Sequence, residues 1–146
     1  MLPSIQFQQI WSDNDLLEFE ITVSDGNSFF RNKVYVGHGF AKELIEGLDQ
    51  FKGQVHGGIY DLRLGEFGPE YASGAFHARL HFQERGKILV TANAQSDFVD
   101  LGRKNVASEA TLYLISEPAL LDNFIAELKS VSNGIGTSAT LQGVGA

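Results

Sequence analysis

Four histidines, one glycine-flanked turn and several close pairs of acids are the residues here whose types could support chemistry. His77 and His81 share one face of a strand pattern, four residues apart. At about 3.3 Å per residue their side chains stand about 13 Å apart, too far to chelate one metal ion. The i, i+4 spacing that binds zinc works on a helix, not on a strand. His38 lies in Gly37-His38-Gly39, between a strand pattern and a helix pattern, where dinucleotide folds hold phosphate. Lys42 stands where the third glycine of that fingerprint is required, and no acidic residue follows in a second parallel strand. Glu18 and Glu20 are paired by strand alternation alone, and nothing places either carboxylate in a cleft, where acid–base work would need it. With no cysteine in the chain, thiolate nucleophiles, thiolate zinc sites and disulfides are excluded. The chain is therefore expected to carry no catalytic residue, no cofactor and no metal.

Binding is the chemistry that remains. Asp13, Asp15, Glu18, Glu20 and Asp25 all fall in the first 30 residues, which contain none of the 11 basic residues. The net charge of −7 thus belongs mostly to the first strands and their turns. Such an edge serves solubility. It also suits docking, because a complementary field steers a basic partner into encounter. Trp11 lies beside these acids, and Trp and Tyr are favoured interface anchors. Trp11, Asp13, Asp15, Glu18 and Glu20 form the candidate partner-binding set. Phe29 and Tyr35 are two further aromatics that strand phase turns away from the aliphatic face.

These residues are carried by a run of strands. Residues 5–11 (IQFQQIW) alternate in part. In residues 16–24 (LLEFEITVS), Leu17, Phe19, Ile21 and Val23 point one way and Glu18, Glu20 and Thr22 the other. Asp25-Gly26-Asn27 signals a hairpin. A third strand follows, with Phe30, Val34 and Val36 inside, and with Arg31 and Lys33 outside, within reach of the acids across the hairpin. Phe40, Leu44, Ile45, Leu48 and Phe51 form a helical stripe closed by Gly53. Strands are expected over residues 59–67, 75–83, 87–95 and 108–115. A last helix is capped by Ser116 and buries Leu121, Phe124, Ile125, Leu128 and Val131. The uncharged tail, residues 134–146, is Gly-, Ser- and Thr-rich and is expected to be mobile.

The order is βββαββββα: one α+β domain over residues 1–133, mainly antiparallel, with about seven strands and two packed helices. A chain of 146 residues with 43% hydrophobic content can bury a core of its own. The N-terminal MLPSIQFQQIW lacks the basic and long apolar regions of a secretory signal. No apolar run is long enough to span a membrane. A sequence pI near 4.9 argues against general nucleic-acid binding. A cytoplasmic protein that engages neither membrane nor nucleic acid is expected.

The LLEFEITVSDG hairpin leads into FFRNKVYV, and the helix FAKELIEGLDQF precedes the GGIYDLRL strand. The GAFHARLHFQERGKILVTANAQ hairpin and the closing ALLDNFIAELKSV helix complete a layout over residues 5–133. It resembles the WapI-like group of small bacterial immunity proteins, which accompany polymorphic contact-dependent toxins. The resemblance implies a cytoplasmic, non-catalytic protein that binds one toxin domain, or another basic protein, and blocks it. It carries over no catalytic residue. Two other functions remain open. One is a small-ligand module with an apolar cavity between sheet and helix, lined by Phe7, Phe19, Phe30, Phe76 and Phe82. The other is a self-assembling structural protein.

Overall fold

Alternation of buried and exposed residues organises the computed structural model, which describes residues 2–70 and 73–145. The first three strands are β1 (Ser4–Ser12), β2 (Leu16–Ser24) and β3 (Phe29–Gly37). In β2, Leu17, Phe19, Ile21 and Val23 are buried, whereas Glu18, Glu20 and Thr22 are half-buried on the other face. Helix α1 (Phe40–Lys52) follows and turns Phe40, Leu44, Leu48 and Phe51 inward. Gly53 ends it in a right-handed conformation rather than the left-handed one common after helices. Then come β4 (Ile59–Gly65), β5 (Ser73–Phe82), β6 (Ile88–Asp97), β7 (Val99–Leu101), β8 (Lys104–Val106), β9 (Glu109–Ser116), α2 (Pro118–Leu128) and β10 (Ser138–Gln142).

Two four-stranded sheets result, ordered β10-β1-β2-β3 and β4-β5-β6-β9, and β7 and β8 form a separate hairpin. Every pairing is antiparallel. The inner faces of both sheets and the apolar stripes of both helices meet in one continuous core. Burying each large apolar side chain there contributes about 1.5–3 kcal/mol, against the entropy of ordering the chain. An α+β domain with a mainly antiparallel architecture is thus found, with two helices and, among the described residues, ten strands in place of seven.

The three extra strands have identifiable causes. The β7–β8 hairpin is short, and its residues are exposed apart from a half-buried Val106, so no buried periodicity marks it. The tail is not irregular throughout. Residues 138–142 form β10, which pairs with β1 from Ser4↔Gln142 to Gln8↔Ser138 and buries Ala139 and Leu141. The cap of α2 also differs. Glu117 occupies the N-cap position without a side-chain cap. Buried Ser116 instead donates its hydroxyl to the Gln142 carbonyl at 2.7 Å.

The two sheets are tied together where β3 passes β5 and β6. There the buried Asn32 amide donates to the main-chain oxygens of Ala75 and Gln95 at 3.2 and 3.0 Å. At the helical side, Lys52 of α1 forms an ion pair with Asp122 of α2 at 2.5 Å.

Candidate docking surface

The outer face of the first sheet is built of rungs that run across its strands. Gln8, Glu20 and Lys33 form one rung, and Trp11, Glu18 and Tyr35 the next. Strand alternation alone would put Trp11 in phase with Ile5 and Phe7, inside the core. A register shift between Gln9 and Trp11 breaks that phase and leaves Gln9 buried and Trp11 exposed. The Trp11 and Tyr35 rings, 41% and 42% exposed, meet edge to face with centroids 6.1 Å apart and planes at 88°. Glu18 lies between them in register. Its carboxylate raises the pKa of the Tyr35 phenol, and the charge of Asp97 on β6 adds to the effect.

The acids divide by task. Asp13 accepts the backbone N–H groups of Asp15 and Leu16, both at 2.8 Å, and closes the β1–β2 turn. Those hydrogen bonds favour its charged form and lower its pKa. His38 donates Nε2–H to the Asp13 carbonyl at 2.8 Å, so this histidine braces the turn beside the sheet. Asp25 does the same work in the β2–β3 turn, accepting from Asn27 and Ser28. Glu20 lies 3.6 Å from Arg31, whose Nε–H also donates to Thr22 at 3.2 Å. The Arg31 guanidinium stands 5.8 Å over the Phe29 ring. Asp15, exposed in the turn, makes no side-chain hydrogen bond or ion pair among the described residues.

The five candidate residues therefore cluster at one end of the β1–β2 hairpin. Trp11 and Glu18 share a rung, Asp13 and Asp15 occupy the adjoining turn, and Glu20 sits one rung further in. Tyr35 and Asp97 join them. Tyr35 follows from the β2–β3 register, because a hairpin with a two-residue period sets residue 35 opposite residue 18. Asp97 arrives from the second sheet, and no local signal in the sequence links it to this end.

The other candidates lie elsewhere. On the outer face of the second sheet, Asp61 accepts from Arg79 Nε at 2.9 Å and Nη2 at 3.2 Å and lies 2.8 Å from His77 Nε2. His81 accepts from the Gln83 side chain at 3.2 Å. Among the described residues no three His, Asp or Glu side chains converge as a metal site. Gly39 is the N-cap of α1 and Lys42 is exposed in its first turn. The phenylalanines proposed for a cavity wall pack into the core instead. Phe7 meets Phe76 and Phe124 at 6.0 and 5.7 Å, Phe19 meets Phe40 at 4.8 Å, and Phe82 stacks on Phe51 at 4.6 Å. A depression of about 800 Å³ opens at the surface, between the β2–β3 turn and β9 beside Lys87 and Tyr113.

Among the described residues no helix is long and apolar enough to cross a membrane. Comparison of the chain with known protein families, with characterised proteins and with solved structures returned no match.

Proposed function

We propose that this chain is a non-catalytic protein-binding module: a cytoplasmic immunity protein that docks a basic toxin domain on the outer face of β1–β3. One observation carries the reading. Two large aromatic side chains, Trp11 and Tyr35, stand exposed on either side of a glutamate at the end of the β1–β2 hairpin that also carries Asp13 and Asp15. Exposed aromatics ringed by charge are the usual anchors of a protein interface. The acids around them supply the field that would draw in a basic partner. The resemblance of the sequence layout to WapI-like immunity proteins supports the same reading.

The test is association with the C-terminal domain of a secreted toxin encoded beside this gene. Asp15→Lys and Glu18→Lys reverse charge without freeing an internal cation, unlike a change at Glu20, which would release Arg31. At low salt each variant should associate roughly tenfold more slowly than the unaltered protein, and the gap should close as salt rises. Unchanged association rates reject this face. Absence of any capture at low salt rejects the function.

A further inference from the structure

The outer face of the first sheet brings an aromatic side chain and a glutamate together in two places, and among the described residues a guanidinium joins them in only one. In the first place Arg31 stands 5.8 Å over the Phe29 ring, pairs with Glu20 at 3.6 Å and donates to Thr22. An aromatic ring, a carboxylate and a guanidinium satisfy one another there. The second place has Glu18 in register between Trp11 and Tyr35, two rings set at 88°; its carboxylate is directed at the Tyr35 hydroxyl, and no guanidinium or ammonium pairs with it among the described residues. Lys33, directly across from Glu20 on β3, forms no ion pair among the described residues, and neither does Glu18. Asp97 adds a second negative charge near Tyr35. Lys33 flanks this corner two residues before Tyr35 on β3, and the His38 ring is engaged with the Asp13 carbonyl.

We infer that the Trp11–Glu18–Tyr35 corner receives an arginine side chain from the partner protein. This rests on the docking face proposed above and names what it recognises. Arginine fits better than lysine on physical grounds. A guanidinium is planar, stacks on aromatic faces and meets a carboxylate through two parallel N–H groups. An ammonium offers a compact, strongly hydrated charge and no flat surface. Two perpendicular rings present a π face and an edge, and the Glu18 carboxylate, in register between them, supplies the negative charge. The arrangement at Arg31, Phe29 and Glu20 shows that this sheet geometry accommodates a guanidinium.

Trp11 is the single tryptophan, so its emission reports this corner alone. The full chain is titrated with acetyl-Gly-Arg-Gly-amide and with the corresponding lysine peptide. The arginine peptide should change the emission saturably and bind about threefold or more tightly than the lysine peptide. Tyr35→Leu should weaken arginine binding about three- to tenfold, Tyr35→Phe should retain it, and Glu18→Gln should weaken it about tenfold or more. An unchanged emission, or equal responses to the two peptides that Tyr35→Leu does not alter, overturns the arginine assignment. If the toxin domain is nevertheless captured through Asp15, the docking face stands and only its arginine receptor falls. If capture fails as well, both fall.

Discussion

Asn32 on β3 donates its side-chain amide to the main-chain oxygen of Gln95 on β6 at 3.0 Å, joining two sheets that share no strand pairing. The second amide hydrogen goes to Ala75 on β5, and the side chain is only 4% exposed. A buried carbonyl left without a donor costs about 1–3 kcal/mol. Asn32→Ala removes both donations, together with the buried Asn32 Oδ1, which itself has no hydrogen-bond partner among the described residues. The variant should lose about 1–3 kcal/mol of unfolding free energy, read as a lower urea midpoint with an unchanged slope. A loss below about 0.5 kcal/mol would mean that the sheets are held by apolar packing alone.

Gly74 sits at the same junction with φ of +95°. A Cβ there would overlap the Lys33 carbonyl of the first sheet and press on the Asp97 carboxylate. Backbone cannot retreat as a flexible side chain can. Gly74→Ala therefore combines a left-handed strain with a main-chain collision. It should destabilise by about 3 kcal/mol or more, and thermal unfolding followed by circular dichroism measures it. Gly102→Ala is the control. It shares a positive φ of 76° but meets open space, so it should cost only the conformational part, about 1 kcal/mol.

Acid should expose the network on the second sheet. The Arg79 guanidinium, with help from His77, holds the Asp61 carboxyl at about 2. An unfolded aspartate titrates near 3.9. Since the folded value is the lower one, the stabilisation is complete above about pH 4 and is lost as pH falls through about 2. Arg79 is half exposed, so solvent screens the pair and its worth is about 1 kcal/mol or less. The unfolding midpoint in urea should fall between pH 4 and 2 more steeply for the unaltered protein than for Asp61→Asn, the two curves converging at the acid end. Parallel curves would show that the ion pair adds nothing to stability.

Legibility in the sequence followed the strength of periodic burial. β2 and α1 were readable because LLEFEITVS alternates strictly and Phe40, Leu44, Leu48 and Phe51 keep a helical stripe. The acids were readable as a cluster because they sit in one hairpin and its turn. Their division of labour was not. Asp13 closes a turn and Glu20 holds Arg31, so neither is a free charge. That depends on side-chain reach across strands, which composition does not encode. Trp11 faces outward because of a register shift, a backbone event without a sequence marker at Gln9-Ile10-Trp11. Asp97 comes from a different sheet, and only tertiary packing brings it to Tyr35.

The C-terminal segment was the least legible element and gives the sharpest test of the fold. Its composition, small and uncharged between glycines, reads as chain that cannot bury enough surface to order itself. Yet β1 offers it an edge to pair with, and residues 138–142 need bury only Ala139 and Leu141 to hold there. Two side chains hold its middle and its last residue: Glu127 of α2 accepts from the Thr140 amide at 2.8 Å, and Ser116 donates to the Gln142 carbonyl. Leu141 is 2% exposed in the common core. Leu141→Ala should therefore cost about 2–4 kcal/mol, as a core truncation does, while Leu2→Ala, whose side chain is exposed, should fall within about 0.5 kcal/mol of the unaltered protein. Chemical denaturation of the two variants decides the matter. A mobile tail would make them indistinguishable, whereas a paired β10 makes the leucine nearest the C-terminus one of the more costly to remove.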